Sequence, residues 1–116
     1  MRCPCGSGEN YDGCCGPLHA GAAAPTALAL MRSRFSAFAL GDADYLLRSW
    51  HPETRPATVD LDDGVTWRRL QIVDAGESTV EFRATYLRDG EHNVLHERSR
   101  FERVAGRWVY VDGEHR

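Results

Sequence analysis

The hydrophobic rhythm of the chain changes once. Between Thr26 and Leu40 apolar residues recur at helical spacing, with Leu28, Met31, Phe35 and Phe38 forming a stripe. Thr26 follows Pro25 and suits an N-cap, and Gly41 suits the position just past a helix C-terminus. Asp42 can cap a second, short helix with Leu46, Leu47 and Trp50 on its apolar side. Pro52 marks the end of that helix, because the residue before a proline avoids helical angles. Residues 52–64 read as loop. From Val65 onward the period is two: Val80, Phe82, Ala84 and Tyr86 alternate with Glu81, Arg83 and Thr85, as in a half-buried strand. Turn residues at 74–77, at Asp89-Gly90 and at Ala105-Gly106 divide this half into strands at about 65–73, 78–88, 91–104 and 107–112. Turns this short imply an antiparallel meander. The expectation is an α+β domain over residues 26–116: two or three N-terminal helices on a four-stranded, curved antiparallel sheet.

The turns also fix a register. A two-residue turn at Asp89-Gly90 places Ala84 opposite Leu95, Phe82 opposite Glu97 and Val80 opposite Ser99. A second at Ala105-Gly106 places Phe101 opposite Tyr110 and Ser99 opposite Asp112. One face then gathers apolar residues together with Glu97, Ser99 and Asp112. A four-residue loop at 74–77 adds Arg69 to it, opposite Phe82. A carboxylate among aromatics needs a cation, so Arg69, Tyr86, Glu97 and Ser99 are candidate pocket residues, with Glu97 as the acid or base of any reaction there. The competing reading is a structural Glu97–Arg69 ion pair. The other face, with Glu81, Arg83, His96, Arg98 and Arg100, reads as a solvated surface of cross-strand charge pairs. Val109, Val111 and Leu70 are candidates for a modest apolar patch there, which would suit a homodimer. Arg32 and Arg34, two apart on the first helix, do not share a face; at least one is expected to pack along the sheet or pair with Asp42 or Asp44. His51 is expected to cap the end of the second helix rather than reach the pocket.

Composition narrows the function classes. The chain has 116 residues, enough for one domain with a small appendage, and a net charge of −3. A mildly acidic chain is a poor coat for nucleic acid. All 14 basic residues are arginine, so Schiff-base and phosphate-loop lysines are excluded. No run of apolar residues is long enough to span a membrane. The start of the chain carries cysteines where a signal peptide needs an apolar stretch, so the expected location is cytoplasmic.

All four cysteines, Cys3, Cys5, Cys14 and Cys15, lie in residues 1–19. Their neighbours are glycine, proline and serine, which can wrap an ion but bury little apolar surface. Zn²⁺ takes four tetrahedral ligands, and two cysteine pairs supply four. Such a closed set is structural, and its excess negative charge calls for donors, here the amides of Gly6–Gly8 and the charge of Arg2. His19 is an alternative to Cys15 as fourth ligand. Two disulfides, or free thiols, are the competing readings.

Cys3-Pro4-Cys5-Gly6-Ser7-Gly8, Tyr11 and Cys14-Cys15 closely resemble the SEC-C motif, the zinc knuckle at the C-terminus of the SecA translocation ATPase, where it contacts the SecB chaperone and the ribosome. The resemblance implies structural Zn²⁺ on the four cysteines and a macromolecular partner, most readily a protein. Leu30-Met31-Arg32-Ser33-Arg34-Phe35-Ser36-Ala37-Phe38, Gly41-Asp42-Ala43-Asp44-Tyr45-Leu46-Leu47 and His96-Glu97-Arg98-Ser99-Arg100-Phe101 resemble the bacterial YchJ family. That likeness implies an NTF2-like cone behind the knuckle, a fold that often encloses a pocket, and it carries no particular activity. Members often have a second knuckle near the C-terminus, which is lacking before Arg116. Outside the cysteines there is no nucleophile elbow, His-Glu-x-x-His motif or nucleotide loop. The knuckle segment offers a nucleic acid only Arg2 and the ring of Tyr11, against Glu9 and Asp12. The favoured reading is a zinc-bearing interaction protein; the alternative is a small-molecule binder or enzyme that uses the cone.

Overall fold

A computed structural model describes residues 1–116. After one 3₁₀ turn, Tyr11–Gly13, the elements are α1 (Cys15–His19), α2 (Ala27–Leu40), α3 (Ala43–Arg48), β1 (Val65–Ala75), β2 (Thr79–Arg88), β3 (Glu91–Val104) and β4 (Arg107–His115). The four strands form one sheet in the order β1-β2-β3-β4, all antiparallel. This is the α+β meander that the change of period predicts. No helix is long and apolar enough to cross a membrane.

Local chemistry sets the helix ends. The Thr26 side chain accepts from the Ala29 amide, and Gly41 closes α2 with φ 77°, a left-handed angle that glycine takes without strain. Asp42 accepts from the Tyr45 amide and starts α3. That helix stops at Arg48, earlier than Pro52 suggests, because the chain then runs beside β4: Tyr110 N–H donates to the Ser49 carbonyl and His51 N–H to the Tyr110 carbonyl. The buried side of α3 is Tyr45 and Leu46, with Leu47 half-buried. His51 Nδ1 accepts from the Glu53 amide and Nε2 lies 3.1 Å from Glu102, so this ring organises the turn beyond the helix.

The expected single stripe on α2 is too narrow. Ala27, Leu30, Met31, Ser33, Arg34, Phe35, Ser36 and Ala37 are all buried, because α2 has the sheet on one side and α1, α3 and the cysteine segment on the other. Its sheet side joins Leu70, Val80, Phe82, Ala84, Phe101 and Trp108 in the main core, and its other side meets Leu18, Tyr45 and Leu46.

Both two-residue turns have two positive φ angles, at Asp89-Gly90 and at Ala105-Gly106, and the β2–β3 register matches the expectation, with Phe82 opposite Glu97 and Val80 opposite Ser99. Three irregularities change faces elsewhere. In β1 a register shift between Ile72 and Asp74 turns Leu70 inward, opposite Ala84, and a further one between Trp67 and Arg69 lets Trp67 turn inward as well. Arg69 therefore faces Thr85 and is exposed, not opposite Phe82, and Leu70 is a core residue, not part of an outer patch. Val109 of the same expected patch is also buried. A third shift, between Arg100 and Phe101, places Ser99 opposite Gly113 and moves Asp112 to the outer face, where it pairs with Arg100 at 2.7 Å. On that face Glu81 bonds His96 diagonally at 2.8 Å rather than Arg98, which lies directly across.

Candidate metal centre

The cysteine segment is stitched back on itself before it meets the body. Cys3 N–H donates to the Glu9 carbonyl and Tyr11 N–H to the Met1 carbonyl, closing a loop with left-handed turns at Gly6 and Gly8. The Tyr11–Gly13 turn and α1 then return Cys14 and Cys15 to the first pair. Gly16 is required there, since a Cβ would sit 2.8 Å from the Tyr11 carbonyl oxygen.

The four sulfurs lie within 4.8 Å of one another. Cys5 Sγ is 3.7 Å from Cys14 Sγ, which is 4.0 Å from Cys15 Sγ. A tetrahedron with Zn–S of about 2.3 Å has sulfurs about 3.8 Å apart, whereas a disulfide needs about 2.05 Å. The donor set and spacing therefore fit a tetrahedral thiophilic cation. Cys3, Cys5 and Cys15 are buried, Cys14 less so, and all four are free thiols.

Donors surround the sulfurs. Ser7 Oγ lies 3.2 Å from Cys14 Sγ, and Ser36 Oγ of α2 lies 3.3 Å from Cys15 Sγ and 3.4 Å from Cys3 Sγ. The Cys5 thiol is pulled down to about 4, chiefly by a hydrogen bond from Cys15, with burial opposing and Ser7 side-chain and amide donors assisting. Cys15 is pushed up correspondingly, as the donor in that pair and by burial. Cys14 is pushed up as well, chiefly by burial, so without a cation the cluster favours a single thiolate, at Cys5. Part of the expected Gly6–Gly8 amide support comes through Ser7. Arg2 is exposed, and the nearby cation is Arg32 of α2, whose Nη1 donates to the Cys5 carbonyl at 3.1 Å.

His19 stands outside the sulfur cluster with both ring nitrogens engaged. Nδ1 is 2.7 Å from Tyr11 Oη, and Nε2 donates to the Ser33 carbonyl at 2.8 Å. Its ring packs 4.5 Å from that of Tyr45, and Arg48 donates to its carbonyl. His19 straps the knuckle to α2 and α3.

The candidate pocket residues are dispersed differently. A cavity of about 130 Å³ opens between α2 and the sheet, lined mostly by apolar and aromatic residues, and Glu97 and Ser99 both line it. Ser99 Oγ donates to Glu97 at 2.7 Å. Tyr86 packs against Trp67 with the rings tilted, 4.9 Å between their centres, outside the lining, and Arg69 is outside it as well. The cation in the cavity wall is Arg34, which is almost fully buried and does not pair with Asp42 or Asp44. The expectation that one of Arg32 and Arg34 packs along the sheet holds for Arg34, which lies over the Tyr110 ring of β4, but Arg34 is not among the candidate pocket residues. Its one signal is position: an arginine on the helical face that also carries Leu30 and Ala37. Ser33 and Ser36 were missed likewise, since the second buried side of α2 exists only once the knuckle docks.

Comparison with known proteins gives the same two parts. Residues 26–113 match the middle NTF2-like domain of YchJ. A UPF0225 protein of Streptomyces coelicolor is 60% identical over 97% of this chain and 94% of its own, and one of Deinococcus radiodurans is 54% identical over 95% and 86%. The solution structure of a SEC-C motif containing protein from Rhodopseudomonas palustris superposes with a TM-score of 0.85 at 40% identity, covering 98% of both chains. Fold, cysteine cluster and sequence agree: the chain belongs to the UPF0225 family, with a YchJ-like NTF2-like domain behind a SEC-C motif.

Proposed function

We propose that the cysteine cluster carries a structural Zn²⁺ and that the ordered knuckle is a docking surface for a protein partner. The carrying observation is the closed set of four sulfurs within 4.8 Å, buried on the α2 side while residues 6–10, Asp12 and Gly13 stay exposed on the other. Four protein ligands leave no open position, so such a metal orders a loop and does not activate water. The exposed rim presents backbone, Ser7, Glu9, Asn10 and Asp12, polar groups with an acidic bias. That chemistry favours a polar or basic protein surface over a phosphate backbone.

Two measurements test this reading. Elemental analysis of freshly purified protein is expected to give one zinc per chain, lost in Cys5→Ser; metal-free wild-type protein with paired, oxidised thiols overturns the metal assignment. The Glu9→Lys, Asp12→Lys double variant should retain its zinc yet lose whatever protein the native chain captures from a cell extract in stoichiometric amount. Equal recovery of that protein by both forms overturns the docking assignment and leaves the metal site untouched.

A further inference from the structure

The cone cavity carries a second assignment, independent of the knuckle. Arg34 is 3% exposed, in the middle of α2. Its guanidinium lies over the rings of Tyr110 and Trp50, at 4.5 and 4.8 Å from their centres. Nη1 is used for the Leu46 carbonyl and the Ser49 hydroxyl. The remaining nitrogens have no protein acceptor. Burial lowers the guanidinium only to about 10, so it stays charged at neutral pH. Buried cations are normally paired. This one forms none of the ion pairs of the chain: those join His51 to Glu102, His96 to Glu81, Arg100 to Asp112 and His115 to Glu97.

A second donor is stranded in the same wall. Trp50 lines the cavity, and its Nε1 is buried with no acceptor. On the acceptor side stands Glu97, the one carboxylate in the lining, held by Ser99 and backed by Gly113, where a Cβ would fall 2.3 Å from the carboxyl group. Between donors and acceptor the lining is aromatic and aliphatic, with Phe35, Phe38 and Trp67 among its residues. The space, about 130 Å³, is close to the ~150 Å³ apolar cavity that accepts a benzene ring.

We propose that the cavity is a binding site for a small, planar, uncharged molecule of one ring, bearing a carbonyl-type acceptor for Arg34 and Trp50 and an N–H donor for Glu97. The charges argue for neutrality. Arg34 and Glu97 balance each other across the space, so an anion adds a second negative charge beside Glu97 and a cation a second positive charge beside Arg34. Flat aromatic walls select a ring, and the two polar ends orient it.

The probes are 4-pyridone (carbonyl acceptor and N–H donor at opposite ends of one ring), benzoate and benzylamine, titrated into the full chain and read at the three tryptophan indole N–H resonances. Millimolar 4-pyridone is expected to move the Trp50 signal and leave that of Trp108 in place, and to bind at least about tenfold more tightly than either charged ring. Glu97→Gln, which keeps an acceptor for Ser99, should reverse the order of 4-pyridone and benzoate by removing the balancing charge. Leu95→Trp, which puts a larger side chain into the half-buried part of the lining, should abolish binding of all three. Tighter benzoate binding by the native chain, an order unchanged in Glu97→Gln, or no shift of Trp50 with any probe overturns the proposal.

Discussion

Ser36→Ala is the sharpest perturbation of the coupling between knuckle and body. The hydroxyl is fully buried, 3.3 Å from Cys15 Sγ and 3.4 Å from Cys3 Sγ. One proton serves one sulfur at a time, so alanine removes one hydrogen bond to a thiolate, not two. A hydrogen bond to a charged group contributes about 1.5–3 kcal/mol. At ~1.4 kcal/mol per factor of ten, that predicts zinc binding weaker by roughly ten- to hundredfold, the range seen for groups that support metal ligands from behind. Competition against a chromophoric chelator at fixed pH measures it, with circular dichroism to establish that the variant is folded. In chelated, reduced protein the loss falls to about 0.5–1.5 kcal/mol, because most of the thiols are then neutral. The gap in melting temperature between zinc-loaded and chelated protein should therefore narrow. Zinc affinity within about threefold of wild type in a folded variant, with that gap unchanged, refutes the argument.

Three further outcomes follow from the same geometry. His19→Ala should keep full metal stoichiometry while lowering stability by about 1–3 kcal/mol in urea titration, since the Ser33 carbonyl and Tyr11 hydroxyl lose their partner; loss of the metal would make His19 a ligand. Gly16→Ala should destabilise by about 1–3 kcal/mol and speed zinc loss, because its Cβ meets the Tyr11 carbonyl at 2.8 Å, while Gly13→Ala, with nothing within 4 Å, serves as the control; equal melting temperatures for the two contradict the packing account. Arg100 holds the Asp112 carboxyl below its usual range. A depressed folded value means stability present above the unfolded value of about 3.9 and lost as pH falls through the folded one. The melting difference between wild type and Asp112→Asn should be small, full at about pH 6 and absent well below pH 3; a difference that persists in acid points to another cause.

The order of elements, both tight turns and the set of four sulfurs were legible in the chain alone. These rest on short-range physics: period two against period 3.6, the caps at Thr26 and Asp42, the left-handed glycine at Gly41, and paired φ > 0 residues at Asp89-Gly90 and Ala105-Gly106. Turn geometry propagates along a ladder, so the β2–β3 register, with Glu97 opposite Phe82, was legible as well. Counting fails at a bulge. One extra residue near Val73 exchanged Arg69 for Leu70 on the inward face, one near Arg68 returned Trp67 to it, and one near Val111 sent Asp112 outward. No local signal marks these bulges, because they are set by how the sheet curves under α2. The second buried side of α2 was equally hidden. Ser33 and Ser36 find their partners only when α3 and the knuckle close over α2, which gives Ser33 the Tyr45 hydroxyl and Ser36 two sulfurs, while Arg34 gains its cavity wall from Trp50 and the sheet. The sequence set which groups exist and how the backbone near each must turn. Which of them meet was decided by packing between segments far apart in the chain, where burial forces each polar group to find a partner.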